Sequence, residues 1–153
     1  MAGTFSQIYI QTVFSPYGHE NIIESQWRDE LYKYIGGIIR NKGQKLIAIN
    51  GMPNHVHIFF GFKPSMAVSD LVRDIKNKST NFINEKGFVK GKFKWQDGFG
   101  SFSYGHSQID AVYKYIMNQQ DHHKKISFKE EYLELLKKFE IDFDEKYLFD
   151  WLE

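Results

Sequence analysis

The sequence predicts an α+β domain, a mostly antiparallel sheet with its helices stacked on one face. Two observations carry this. Apolar residues alternate or cluster at strand spacing in some segments and recur every three to four residues in others, in the order strand, helix, hairpin, helix, strand, helix. No internal repeat, linker or low-complexity stretch divides the 153 residues, so positions 1–153 are expected to form one domain. The order is that of a ferredoxin-like, RRM-like unit, loosely βαββαβ.

Each element has its own signal. Phe5 to Phe14 is rich in Ile, Tyr, Val, Phe and Thr and stops at the turn cluster Ser15-Pro16-Tyr17-Gly18, which reads as a strand. From Ile22 to Asn41 the apolar positions Ile23, Trp27, Leu31, Ile35 and Ile38 follow helical spacing, and Asn41-Lys42-Gly43 ends the run. Lys45 to Asn50 and His55 to Phe62 are strand-like and are joined by Gly51-Met52-Pro53-Asn54 as a hairpin. Val68, Leu71, Val72, Ile75, Ser79 and Phe82 trace a second helix whose other face carries Arg73, Lys76 and Lys78. Gly87 to Gly105 reads as loops around one or two short strands. Asp110 can cap a third helix running to about His122. Ser127 with Glu130 forms a capping box for a fourth, the start of an acidic helical tail from about residue 127.

Composition excludes several classes of function. With no cysteine, disulfide scaffolds, thiolate zinc sites, iron–sulfur clusters and cysteine nucleophiles are ruled out, and any metal must be held by nitrogen or oxygen ligands. No apolar run approaches the ~20 residues of a membrane span. The N-terminal residues lack a secretory pattern, so a cytoplasmic protein is expected. A net charge of +1 conceals a gradient. From Lys63 to Lys94 eight basic residues stand against three acidic, and from Ser127 to Glu153 four basic against nine acidic. That fits one phosphate-binding face with the acidic tail placed away from it.

Two motifs carry chemistry. In His55-Val56-His57, residues two apart on a strand point to the same face with Cα atoms about 6.6 Å apart, so both imidazoles can converge on one divalent ion. Such a pair needs a further ligand from another element. The helix around Tyr115-Ile116-Met117-Asn118-Gln119 offers one, because residues four apart share a helix face. A phenol has a pKa near 10 and acts as a nucleophile only where a cation or a base assists it. Tyr113 is the rival, but two positions rotate it by roughly 200° and it lacks an amide four residues on.

Taken together, Met52-Pro53-Asn54-His55-Val56-His57, Trp95-Gln96-Asp97-Gly98-Phe99-Gly100-Ser101-Phe102 and Tyr115-Ile116-Met117-Asn118-Gln119-Gln120-Asp121-His122-His123 resemble the three signature blocks of the single-tyrosine HUH transposases of the IS200/IS605 type, REP-associated members included. The resemblance covers nearly the whole chain. It implies a metal-dependent transesterase that cuts and rejoins single-stranded DNA. His55, His57 and Gln119 would hold Mg²⁺ or Mn²⁺, and Tyr115 would attack phosphorus to leave a 5′-phosphotyrosine bond and a free 3′-OH. It also implies DNA with hairpin-forming ends as partner, and a homodimer whose active sites combine the histidines of one chain with the tyrosine helix of the other. His122 and His123 match the third block without being ligands, and are expected at the helix end or near the DNA backbone.

Phosphate contacts need cations, so Arg73, Lys76, Lys78, Lys90, Lys92 and Lys94 are the expected DNA-binding residues. Phe99, Phe102 or Tyr104 would stack on unpaired bases, and Trp95 would be core. Two other readings share this sequence: a domesticated relative that processes repeated palindromes, and a non-catalytic nucleic-acid-binding module on the same frame.

Overall fold

A computed structural model describes residues 3–144; the end of the expected acidic tail, 145–153, lies outside them. The chain forms β1 (Tyr9–Phe14), α1 (Ser25–Asn41), β2 (Lys45–Met52), β3 (His55–Gly61), α2 (Val68–Lys86), β4 (Gly100–Tyr104), α3 (Ile109–Met117), α4 (Gln119–His122) and α5 (Phe128–Lys138). The four strands make one antiparallel sheet in the order β2-β3-β1-β4, as the ferredoxin-like reading requires. Among the described residues no helix is long and apolar enough to cross a membrane.

Strand alternation sends successive side chains to opposite faces and so builds two cores. Ile10 and Phe14 of β1 with Val56, Ile58 and Phe60 of β3 meet Trp27, Leu31, Ile35 and Ile39 of α1 and Leu71, Val72, Ile75 and Ile83 of α2. Trp95 belongs to this core, edge-on to Phe14 and Phe93, with its indole N–H donated to Ser79 Oγ at 2.9 Å. Val13, Phe59, Phe102 and Tyr104 point the other way and meet Val112 and Ile116 of α3 and Phe128, Leu135 and Leu136 of α5. The single helical layer expected from the sequence therefore consists of α1 and α2 only, and α3–α5 form a second layer opposite. The reason is that the second face is also apolar at Val13, Phe59 and Phe102, and an amphipathic segment must cover it.

Two local devices shape this second face. Gly51 is required where β2 approaches the turn, since a Cβ there would lie 2.2 Å from the His55 carbonyl oxygen. The expected continuous third helix is broken at Asn118, which separates α3 from α4. The cause lies on the sheet: the Asn50 side chain of β2 donates to the Ile116 and Met117 carbonyls at 3.0 and 3.2 Å and exchanges amide hydrogen bonds with Gln120 at 3.1 Å. An inserted amide that occupies helix carbonyls is a recognised cause of such a kink. α5 begins as the sequence predicts, with Ser127 Oγ accepting the Glu130 N–H at 3.1 Å.

Candidate metal and tyrosine site

His55, His57 and Gln11 project from the face covered by α3–α5, and all three are fully buried. The Nδ1 of each histidine faces an amide oxygen: His55 to Asn54 Oδ1 and His57 to Gln11 Oε1, both 2.7 Å. Gln11 is oriented in turn by donating to the Tyr104 hydroxyl at 2.8 Å. With Nδ1–H donating, each neutral ring presents an Nε2 lone pair to the interior. That of His55 lies 3.0 Å from Gln119 Oε1 and 3.4 Å from Glu131 Oε1; that of His57 lies 3.1 Å from the same Glu131 oxygen.

Acceptors facing acceptors need a cation between them, whether protons or a metal. His55, His57 and Glu131 each offer one ligand atom, all within 4.8 Å of one another, and all three residues are buried. Nitrogen and oxygen donors without thiolate suit a hard or borderline divalent ion, and Asn54 and Gln11 fix the rings as outer partners of metal-bound histidines do. Burial holds His55 down to about 4, with its hydrogen bond to Glu131 only partly opposing, so the ring is neutral and its lone pair available near pH 7. Burial alone would raise the Glu131 carboxyl, but the imidazoles of His123, His55 and His57, which interact favourably with the ionised carboxylate when they carry a proton on the facing nitrogen, outweigh it and hold the group well below the usual carboxylate range.

Tyr115 closes the site from α3. Its ring is edge-on to His57 with centroids 5.7 Å apart, and its hydroxyl donates to Glu131 Oε2. Burial, and then the Glu131 charge, push the phenol well above its ordinary range. Tyr113 lies 43% exposed, outside the cluster. Gln119, fully buried at the start of α4, donates to Glu131 Oε2 at 2.9 Å.

The family model of the IS200-like transposases matches the chain over residues 4–119. The chain belongs to this family. No curated protein matches this transposase. Solved structures share its fold, among them two transposases. A candidate transposase from Deinococcus radiodurans R1 is 19% identical with a TM-score of 0.63, covering 78% of this chain and 95% of that one. A REP-associated tyrosine transposase bound to a REP hairpin is 17% identical with a TM-score of 0.58, covering 82% and 76%.

Sequence reasoning alone did not place every residue of this transposase site. Glu131 sits at its centre, on a helix of the acidic segment that is laid over the histidines on the sheet face opposite α2. Phe128 of α5 stacks on the His55 ring with centroids 3.9 Å apart. The physical cause is the stripe Phe128, Leu135 and Leu136, which must cover the open sheet face, and Glu131 lies on that same stripe. A carboxylate on the apolar side of an amphipathic helix was the available signal. His123, expected near the helix end, is drawn in as well, its Nε2 3.0 Å from Gln119 Oε1 and 3.1 Å from Glu131 Oε1. Burial lowers His123, but the hydrogen bond and charge of Glu131 win and raise it overall. Its neighbour His122 places Nε2 3.5 Å from Glu131 Oε2.

The six expected DNA-binding cations divide. Lys78, Lys90, Lys92 and Lys94 are exposed. Arg73 is exposed and paired with Asp70 at 2.8 Å. Lys76 is part-buried and donates to the Gln96 and Gly98 carbonyls at 2.8 and 2.5 Å, tying the loop before β4 to α2, and burial lowers it to about 8. Lys76, Asn77, Thr80, Asn81 and Lys94 line a groove that runs past Gln96 and Gly98. The same loop residues line a second cavity ending at Phe128, the ring stacked on His55. Of the aromatics expected to stack on bases, Phe102 and Tyr104 are buried in the second core and Phe99 is exposed.

Proposed function

We propose that this transposase cleaves and rejoins single-stranded DNA at hairpin-bearing ends through a bond to Tyr115. The observation that carries this is the convergence of the Tyr115 hydroxyl, two buried histidines, Gln119 and Glu131 on one point. His55, His57 and an oxygen of Gln119 or Glu131 would hold a divalent cation, Mg²⁺ or Mn²⁺, whose charge would polarise the scissile phosphodiester. Asn54 and Gln11 keep the imidazoles in their ligating tautomer. Glu131 Oε2 accepts the hydrogen bond of the Tyr115 hydroxyl and is the nearest group to take its proton as the phenol oxygen attacks phosphorus; with the phenol held high and the carboxylate low, that transfer would need the charge of the cation to lower the phenol. The new bond is Tyr115 Oη–P and the bond broken is P–O3′, which leaves a 5′-phosphotyrosine and a free 3′-OH able to reverse the step.

The strand reaches the site along the groove lined by Lys76 and Lys94, with Arg73, Lys78, Lys90 and Lys92 supplying further phosphate contacts. That a structure of similar fold holds a REP hairpin supports hairpin DNA as the partner. One chain brings its own tyrosine to its own histidines, so the site is complete in cis; a homodimer with exchanged tyrosine helices would rebuild the same contacts in trans.

The test is incubation with single-stranded and double-stranded DNA from the gene's own flanks plus Mg²⁺, read as a covalent adduct on a denaturing gel. An adduct is expected with single strands only, absent in EDTA and with Tyr115→Phe. An adduct that persists in Tyr115→Phe sinks the assignment of the nucleophile, and binding without cleavage of any strand returns the protein to a non-catalytic module.

A further inference from the structure

The cavity between α3 and α5 has no role in the chemistry above, yet it opens against the reacting atoms. Tyr115, His122 and Glu131 form its inner end, and Ala111, Val112 and Leu135 line its apolar wall. Gln108, Glu134 and Lys138, all exposed, supply its polar rim. We propose that this cavity takes one unpaired nucleobase, that of the nucleotide flanking the phosphate attacked by Tyr115, and so selects the base at the cut; the inference rests on the nickase reading.

Size, chemistry and position all point the same way. Its volume of about 300 Å³ is twice that of an engineered cavity of ~150 Å³ that accepts a benzene ring. That is room for a single base and too little for a base pair. The lining is mainly apolar with a few polar groups, the pattern of a pocket that takes a flat heterocycle. Gln108 Oε1 accepts the Gly105 N–H at 2.9 Å, which orients the carboxamide and leaves its NH₂ as a donor among the described residues. Glu134 adds an acceptor. Lys138, whose Nζ lies 5.8 Å over the Tyr104 ring, adds a second donor. A donor and an acceptor side by side are what the edge of an unpaired base demands, and single-strand enzymes read flanking bases by such contacts. A base is joined to the phosphate it flanks through one sugar, so a strand bound with its phosphate at Tyr115 must place a neighbouring base beside this opening.

The test uses the full chain, Mg²⁺ and single strands from the gene's flanks that differ only in the base on either side of the mapped cut. Adduct rates should spread by at least about fivefold across the four bases at one of these positions, the low end for one good base-edge contact. Gln108→Ala and Glu134→Gln should reorder the four rates, and Ala111→Trp, which fills the cavity from an exposed position, should level them. A second readout needs no chemistry: 2-aminopurine at that position should change fluorescence on binding to Tyr115→Phe in EDTA, and not when Ala111→Trp is added. Adduct formed equally on all four bases at both positions, or a ranking untouched by all three substitutions, overturns the pocket and leaves the nickase standing. If no strand forms an adduct the nickase reading falls first, and an unchanged 2-aminopurine signal then removes the pocket too.

Discussion

The two faces of β3 have the same burial and opposite content. Val56, Ile58 and Phe60 point to α1 and α2, while His55, His57 and Phe59 point to α3–α5, and all six are fully buried. On the first face burial stabilises directly, at roughly 25 cal/mol per Å² of apolar surface. On the second, burying imidazoles and a carboxylate costs free energy that only their mutual hydrogen bonds, and a cation when one binds, can offset. One face of the strand holds the fold together, and the other spends stability on a preorganised cluster.

The comparison breaks most visibly by cutting into the apolar face. Phe60→Ala should lower unfolding free energy by about 3–5 kcal/mol in urea titrations, with metal affinity per folded molecule unchanged. A loss under 1 kcal/mol would mean that this face is not the stabilising one.

The polar face should instead respond to pH. His55 is lowered from 6.5 to about 4 by burial, so below pH 6.5 the unfolded chain takes up a proton that the folded chain refuses. Stability contributed above pH 6.5 is lost as the pH falls toward 4, by about 3 kcal/mol in chelator-treated protein. Glu131, held low, adds its own loss below its unfolded value of 4.5. His123 is raised and acts in the opposite sense, its contribution present below 6.5 and fading as pH rises through its folded value. A stability profile flat from pH 7 to 4, or one unchanged in His55→Gln, would contradict this accounting.

Metal should then reverse part of that cost. Mn²⁺ at 100 times its Kd should stabilise the protein by about 2.7 kcal/mol, visible as a raised Tm that is lost in His57→Ala. An equal shift in that variant would place the ion elsewhere. The smallest effect belongs to the cap of α5. Ser127→Ala should cost about 1 kcal/mol, and if α5 covers the site as described, His55 amide exchange should quicken with it.

How far the sequence could be read follows the same division. The apolar face was legible because period-two and period-3.6 patterns report burial directly. The strand pair of histidines was legible because both lie within β3, and the Tyr115–Gln119 spacing because four residues bring the two side chains together even though the break at Asn118 puts them on consecutive helices. Glu131 was hidden among nine acidic residues near the C-terminus, where Glu130 has an obvious capping role and nothing local distinguishes its neighbour from a solvated charge. The break at Asn118 was equally hidden, since it is imposed by Asn50, a residue 68 positions away in the sequence whose effect is purely tertiary.

That same Asn50 is the Cα partner of His57 in the β2–β3 ladder. The rung that carries a proposed metal ligand therefore also carries the bolt for the helix bearing the proposed nucleophile. If β2 and β3 shift together in thermal motion, ligand and nucleophile ride along as a unit, and the spacing between them is gauged by one backbone pair, not by the sum of errors along three elements.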